Sequence, residues 1–131
     1  RAKAEGLKPI LRWVGRSVAG VDPAYMGIGP VPAVKKVLER TNLGLDEIDI
    51  VELNEAFAAQ AVAVIRELGM DMDRTNVNGS GISLGHPVGA TGAIMTVKLM
   101  EELAYADGQF GLVTMCVGGG QGAATIFERM N

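Results

Sequence analysis

The sequence predicts an α/β domain with a five-stranded mixed sheet, helices on both faces and the element order βαβαβαββ. The prediction rests on the alternation of two kinds of segment and on the length and hydrophobic fraction of the chain. Short segments rich in β-branched residues alternate with longer segments whose apolar residues recur at helical spacing. Such alternation is typical of a parallel or mixed sheet covered by helices. The 131 residues, 48% of them hydrophobic, are enough for one domain with its own core.

The first strand and helix are predicted from residue types and prolines. Residues 10–21 are rich in Ile, Val, Leu and Trp, which favour an extended conformation. Residues 27–32 form a loop with two prolines, and Pro32 suits the first helical turn, where a missing N–H leaves no hydrogen bond unmade. The helix is predicted over residues 32–41, because its apolar residues share one face.

A short strand over residues 49–53 leads into the most apolar segment of the chain. Asn54 follows this strand at once, and we expect its side chain to cap a helix by accepting a free backbone N–H. Nine of the 11 residues over 56–66 are apolar, which is typical of a helix buried on several sides. Gly69 is suited to end that helix in a left-handed conformation.

The second half of the chain contributes three strands and one helix. A short strand is predicted over residues 75–78. A helix is predicted over residues 90–105, and its first charged residue is Lys98, so its amino-terminal half is expected to be buried. Strands are predicted over residues 112–116 and 123–128, and the glycine-rich turn between them indicates a hairpin.

Composition and charge exclude several classes of function. The net charge of −3 and the pI near 5.1 argue against nucleic-acid binding, which needs a basic surface. One Cys excludes an internal disulfide framework and indicates a reducing compartment, and one His with one Cys is too few ligands for zinc. No apolar run reaches the ~18 residues of a membrane span. We therefore expect no metal, no nucleic acid, no membrane partner and a cytoplasmic location.

Half of the glycine lies beside the only histidine and the only cysteine. The uncharged stretch from Asn76 to Gly92 contains His86 and five of the 18 glycines, and the stretch from Cys116 to Gly122 contains four more. Glycine lets a backbone come close to another group, since it has no Cβ. A glycine-rich loop around a lone histidine therefore indicates a buried site.

Three side chains with chemical potential follow predicted strands: Asn54, His86 and Cys116. Because ligands of open α/β sheets bind outside the carboxyl ends of the strands, all three are candidates for one site. Each also has a structural interpretation, as an N-cap, a structural histidine or a small buried hydrophobe. A phosphate-binding loop is discounted, because no Gly-Lys-Ser/Thr follows the glycines. Their shared position favours a thiol/imidazole site surrounded by backbone N–H donors.

Four motifs of the chain share their order and spacing with a known family. They are Asn54-Glu-Ala-Phe-Ala-Ala-Gln, Asn76-Val-Asn-Gly, Gly85-His-Pro-Val-Gly-Ala-Thr-Gly and Cys116-Val-Gly-Gly-Gly-Gln-Gly. Together they resemble the C-terminal domain of thiolases, and residues 21–33 match that family's upstream loop. Ser80 departs from the pattern, since many members have a second glycine there.

The resemblance implies acyl transfer on coenzyme A thioesters, by cleavage of 3-oxoacyl-CoA or by Claisen condensation of two acyl-CoA molecules, as in acetyl-CoA acetyltransferases. It implies that Cys116 is the acid/base that takes the α-proton, or returns it in cleavage. His86 would activate a nucleophilic cysteine and donate to a thioester oxyanion, and Asn54 would hold a water in that oxyanion hole. The Gly118 N–H would contribute to a second oxyanion hole.

The same resemblance implies the surroundings of the substrate. Met26, Ala56 and Phe57 would line the acyl and pantetheine pocket. Coenzyme A is substrate and product, so no separate cofactor is implied. A free thiol is a poor base at neutral pH, and we expect His86 and backbone N–H groups to lower the pKa of Cys116.

One group that thiolases need has no counterpart here. Members carry a separate nucleophilic cysteine on an N-terminal domain, whereas the one Cys of this chain lies in the acid/base motif. We therefore expect the chain to be the second half of an enzyme and inactive alone. Its partners would be the N-terminal half, packed against residues 56–65 and 90–97, acyl-CoA and CoA, and further copies in a homodimer or homotetramer.

Two alternatives remain for this resemblance. One is a non-catalytic domain that binds acyl chains, lipids or a partner, but the presence of both His86 and Cys116 favours the enzyme. The other is a ketosynthase, which would use two histidines, or His and Asn, and lacks the Cys-Val-Gly-Gly-Gly ending. In a eukaryote the compartment would be the mitochondrion or the peroxisome.

Overall fold

In the computed structural model, which describes residues 1–130, the sheet has four strands in the spatial order β1-β4-β3-β2. The strands are β1 (Leu11–Gly20), β2 (Ile50–Leu53), β3 (Phe110–Val117) and β4 (Gln121–Arg129). The helices are α1 (Pro30–Thr41), α2 (Ala58–Leu68), α3 (Gly81–Leu84) and α4 (Thr91–Tyr105). Short 3-10 turns cover Pro23–Ile28, Leu45–Glu47 and Met72–Arg74.

The strand pairing brings the carboxyl ends of β2 and β3 to the same edge of the sheet. These two strands are parallel, with Leu53 opposite Thr114. β3 and β4 form the predicted antiparallel hairpin, in which Cys116 lies opposite Gly122. β1 pairs with β4 in the antiparallel direction, so the sheet is mixed as predicted.

Each face of the sheet has its own hydrophobic core. On one face, α1 and α2 pack around buried residues that include Val34, Val64 and Leu112. On the other face, α4 packs through Met95 and Leu99, which are almost fully buried. The predicted placement of helices on both faces is therefore confirmed.

The predicted strand over residues 75–78 is absent, so the prediction of five strands was wrong. Only Thr75 forms a single parallel bridge, with Val51. Asn76 is left-handed, with φ of 53°, and this conformation turns the chain away from the sheet. The side chain of Asn76 makes the hydrogen bonds that a neighbouring strand would make with Leu53. Its Oδ1 accepts from Leu53 N at 2.8 Å, and its Nδ2 donates to Leu53 O at 2.9 Å. A side-chain amide presents the same donor and acceptor as a peptide group, so the Asn76 amide can pair with Leu53 in place of a strand's backbone.

The helix predicted from residue 56 begins two residues later, and Asn54 is not its N-cap. Phe57 occupies that position in an extended conformation. Asn54 instead continues the strand pairing, since its backbone N–H donates to Thr114 O at 3.0 Å. The prediction that this helix is buried on several sides is also wrong for the described chain. Only Gln60, Ala61 and Val64 of α2 are buried.

The apolar amino-terminal half of α4 is likewise partly uncovered. Ile94 is 40% exposed and Val97 is 56% exposed, although Thr91 and Met95 on the same helix are buried. The expectation that this half is the buried end is thus met on one side of the helix only. The described chain therefore leaves apolar residues of both α2 and α4 on its surface.

Gly122 lies against the backbone of the segment that leads into α1. A Cβ on Gly122 would overlap the carbonyl of Gly29, and a Cβ on Gly29 would overlap that of Gln121. We expect Gly122→Ala to destabilise the fold by about 3 kcal/mol, because neither backbone can retreat without breaking the β3–β4 hairpin. Thermal unfolding measures the loss. Gly89→Ala is the control, since nothing lies within 4 Å of its Cβ, and an equal loss in both variants would contradict the packing argument.

Candidate active site

Asn54 is the most deeply buried of the predicted site residues. Its side chain has no exposed surface, and neither amide atom has a hydrogen-bond partner among the described residues. Its Oδ1 faces the start of α3, since a Cβ on Gly81 would lie only 3.0 Å away. A buried amide without partners is costly, so this one indicates a bound water or ligand.

His86 lies on a loop between α3 and α4. Its Nδ1 is 2.7 Å from the hydroxyl of Thr91, the first residue of α4. Gly85 before it adopts φ of 91°, a left-handed conformation that favours glycine. Residues 82–90 are all exposed, so the expectation of a buried loop is wrong for this chain. The glycines turn the backbone, but no other part of residues 1–130 covers it.

Cys116 lies one residue before the end of β3 and is 8% exposed. Burial raises the pKa of its thiol above the ordinary value, and a hydrogen bond with its own backbone opposes this only in part. The shift is opposite to the expected lowering by neighbouring groups. The thiol is therefore protonated at neutral pH, which is the form that can give a proton to a substrate carbon.

Gly118 lies in the exposed turn of the hairpin, directly beyond β3. Nothing is found within 4 Å of where its Cβ would be, so a ligand can approach its backbone closely. The turn is closed by Gly119 and Gly120, both left-handed, with φ of 86° and 82°. The glycine run therefore shapes this turn and leaves its outer side open.

The histidine-containing segment is tied to the end of β2 by polar side chains that sequence reasoning did not select. The hydroxyl of Ser80 donates to Leu53 O at 2.8 Å, so the one departure from the family pattern is part of the anchor. Glu55 accepts from Ile82 N at 3.3 Å and from Asn76 Nδ2 at 3.4 Å. Glu55 and Asn76 lie within the motifs and Ser80 directly follows one of them, and this polar character was the signal that could have found them.

The start of α4 completes the site from the side of β3. A Cβ on Gly92 would lie 3.8 Å from Met115 Cε, next to Cys116 in the chain. The loop of His86 therefore enters α4 beside the end of β3, and Asn54 joins the end of β2 to α3. The structure brings the three predicted residues to one edge of the sheet, although no hydrogen bond joins their side chains within residues 1–130.

The three predicted pocket residues lie on one side of the domain. Met26 is half-buried in the turn Pro23–Ile28, which packs on α2, while Ala56 and Phe57 precede α2 directly. Phe57 is 63% exposed. Beneath that turn, against Gly27, lies Gln60, which is 7% exposed and has both amide atoms without a partner among the described residues. Gln60 is a polar residue within the apolar run 56–66, and this pattern could have identified it as a candidate site residue.

The part of the chain that the structure describes contains no candidate metal cluster and no candidate membrane-spanning helix. Residues 1–130 contain no group of three or more His, Cys, Asp or Glu side chains placed to hold a metal ion. None of their helices combines the length and apolar character that a bilayer crossing requires. The absence of a metal, of a membrane partner and of a separate cofactor stays a prediction, as does the cytoplasmic location.

The sequence matches the family model described as "Thiolase, C-terminal domain" over residues 7–129. It is 61% identical to "Beta-ketothiolase BktB" of Cupriavidus necator over 132 residues, which are 99% of this chain and 34% of that protein. It is 52% identical to "3-ketoacyl-CoA thiolase" of Bacillus subtilis, covering 98% of this chain and 33% of that protein. The chain thus spans about a third of the length of these curated relatives.

Solved structures share the fold. The acetyl-CoA acetyltransferase of Bacillus anthracis superposes with a TM-score of 0.96 at 53% identity, covering 98% of this chain and 33% of that one. Human mitochondrial 3-ketoacyl-CoA thiolase in complex with CoA also gives a TM-score of 0.96, at 45% identity, covering 99% of this chain and 33% of that one. At this similarity the four-stranded α/β architecture is shared along almost the whole chain.

Proposed function

This chain belongs to the thiolase family, as its C-terminal domain, and on that premise we propose that it is the C-terminal part of an enzyme that transfers acyl groups on coenzyme A thioesters. The reaction would be thiolytic cleavage of 3-oxoacyl-CoA or the reverse condensation of two acyl-CoA molecules. Coenzyme A would be substrate and product, without a further cofactor. The observation that carries the proposal is the unpartnered amide of Asn54, buried at the sheet edge where the His86 segment and Cys116 also lie.

Asn54 and His86 would stabilise the negative charge that develops on a thioester oxygen. A water bound to the Asn54 amide would satisfy that buried group and turn one hydrogen toward the oxygen. The His86 ring is exposed and can reach a substrate from its loop. Donors preorganised in this way are worth roughly 3–4 kcal/mol each in the transition state.

Cys116 would exchange the α-proton in both directions of the reaction. In cleavage the nucleophilic cysteine would form a bond to the 3-oxo carbon and keep the acyl group. The C–C bond would then break, its electron pair would move to the α-carbon of the departing enolate, and the Cys116 thiol would give that carbon a proton. In condensation the thiolate takes the proton back. The open Gly118 N–H would stabilise the oxyanion of the acyl-enzyme step.

The nucleophile and much of the pocket would come from an N-terminal half. The lone Cys of the chain is already assigned to the acid/base position, and the chain spans about a third of its relatives. The uncovered apolar residues of α2 and α4 would pack against that half. Met26, Ala56 and Phe57 would contact the acyl chain or pantetheine, and the assembled enzyme would be a homodimer or homotetramer.

The test is a thiolysis assay of the full-length protein with acetoacetyl-CoA and a longer 3-oxoacyl-CoA. The wild type is expected to release acetyl-CoA, and His86→Ala is expected to lower kcat/KM by about 10²- to 10³-fold, because one oxyanion donor and the activating base are lost. Tyr105→Ala, at the exposed far end of α4, is the control and should keep wild-type activity. Binding of CoA thioesters without turnover by the wild type would instead identify a non-catalytic binding protein.

A further inference from the structure

The hydroxyl of Thr91 lies between two groups of the His86 loop. Thr91 is 4% exposed and is the first residue of α4. Its Oγ1 is 2.7 Å from His86 Nδ1 and 3.1 Å from the carbonyl oxygen of Pro87. The exposed imidazole is thus held through a single buried hydroxyl at the start of a 15-residue helix.

The proton count at this hydroxyl determines which ring nitrogen carries hydrogen. A hydroxyl has one proton, and a Thr91 hydroxyl that donates it to Pro87 O, 3.1 Å away, has only its oxygen left for the ring. The same bond to the fourth residue back is made in α1 by Thr41 and in α4 by Thr96, at 2.8 Å each. Oγ1 is then an acceptor toward the ring, and Nδ1 must be its donor.

We infer that Thr91 is a positioning residue that keeps the proton of neutral His86 on Nδ1 and leaves the lone pair of Nε2 free. The inference rests on the proposed function, in which His86 activates a thiol. A free Nε2 can take the thiol proton, which yields a thiolate and an imidazolium, and the new Nε2–H can then donate to an oxyanion. The Nδ1–H bond to Thr91 is the same before and after the transfer, so the ring need not turn.

The other tautomer would prevent this chemistry. With the proton on Nε2, the ring would present a donor to the thiol and could not accept its proton. Because the ring itself is exposed, few contacts besides Thr91 hold it within residues 1–130. Removing the hydroxyl would free both the tautomer and the orientation of the ring.

The experiment compares Thr91→Val, Thr91→Ser and Thr96→Val in the full-length protein. Valine has the shape of threonine without the hydroxyl, and serine keeps the hydroxyl. Thr96 makes the same backbone bond in the same helix and contacts no histidine, so it is the matched control. We expect Thr91→Val to lower kcat about 10- to 100-fold with little change in KM, and the other two to stay near the wild type.

Two further readouts separate positioning from a structural role. The rate at which iodoacetamide alkylates the nucleophilic cysteine should fall in Thr91→Val only. Nitrogen-15 NMR of labelled histidine, assigned against His86→Gln, should show a bare Nε2 in the wild type and mixed tautomers in Thr91→Val. A protonated Nε2 in neutral wild-type His86 would overturn the inference even if Thr91→Val failed to fold.

The activity data also distinguish the inference from the proposed function. Equal activity of Thr91→Val and Thr96→Val in an active enzyme would refute the role of Thr91 and leave the function standing. A loss that serine does not rescue would refute it too, since shape rather than the hydroxyl would then matter. A wild type without turnover would refute the proposed function, and the NMR tautomer would still test the Thr91 bond.

Discussion

Replacing Cys116 by serine in the full-length protein is expected to abolish carbon–carbon bond formation while acyl transfer to the nucleophilic cysteine persists. A serine hydroxyl fits the buried site but ionises far less readily than a thiol, so it cannot take the α-proton of an acyl-CoA. Condensation should fall by up to about 10⁴-fold. Acyl-enzyme formation should remain, because it uses the other cysteine, and mass spectrometry of the enzyme mixed with acyl-CoA would detect it.

The control for this experiment lies on the same strand. Met115→Leu conserves volume one residue earlier and should leave condensation within a small factor of the wild type.

The pH dependence of alkylation tests the direction of the pKa shift of Cys116. Because burial raises the pKa of Cys116, its alkylation by iodoacetamide should require a higher pH than that of an unfolded thiol. Condensation by Cys116→Ser at a near-normal rate would show that another group is the base.

The alternation of strands and helices was predictable because it follows from local patterning. The periods of the apolar residues located β1, α1, β2, α4 and the hairpin to within a few residues. The fifth strand was predicted on weak grounds, since two of the four residues 75–78 are asparagine, which is depleted in strands. The difference comes from one side chain, Asn76, whose amide pairs with Leu53 across 23 residues of sequence. Such a contact leaves no local pattern.

The site was predictable in its chemistry but not in its surroundings. The only His and the only Cys stand out in glycine-rich loops, and Asn54 follows a strand. Their burial could not be read from the sequence: Asn54 is enclosed, whereas the loop of His86 is open. Exposure depends on which elements pack over a loop, and the elements proposed to cover this one belong to the N-terminal half.

A buried ion pair beneath the site had only a faint signal in the sequence. Lys98 ends the uncharged stretch that begins after Arg74, and in the structure its Nζ donates to Glu52 Oε2 at 2.6 Å and to the carbonyl of Gly79. Glu52 is fully buried on β2, and its Oε1 has no partner within the described residues. Lys98 therefore connects α4, β2 and the turn that precedes Gly81, which contacts Asn54.

Removal of this lysine by Lys98→Met is expected to destabilise the protein by about 3–5 kcal/mol at neutral pH, because the carboxylate loses its counter-charge in a buried position. The size of the loss should depend on pH. Burial raises the pKa of Glu52, while the hydrogen bond and charge of Lys98 lower it, so its removal raises that pKa further. A group whose pKa is raised on folding stabilises below its unfolded pKa, and that contribution is lost as pH rises through the folded value. The deficit of Lys98→Met should therefore be small near pH 5 and grow toward pH 8.

Two further variants decide whether the charge is the cause. Glu52→Gln combined with Lys98→Met should recover most of the lost stability, since no buried charge remains. Lys36→Met is the control, because Lys36 also donates to a backbone carbonyl, Val18 O at 3.1 Å, but is exposed and has no buried partner. Thermal unfolding at several pH values would measure all four proteins. A deficit in Lys98→Met that does not change with pH, or that the double variant keeps, would mean that Lys98 stabilises through its packing and its bond to Gly79 rather than through the charge of Glu52.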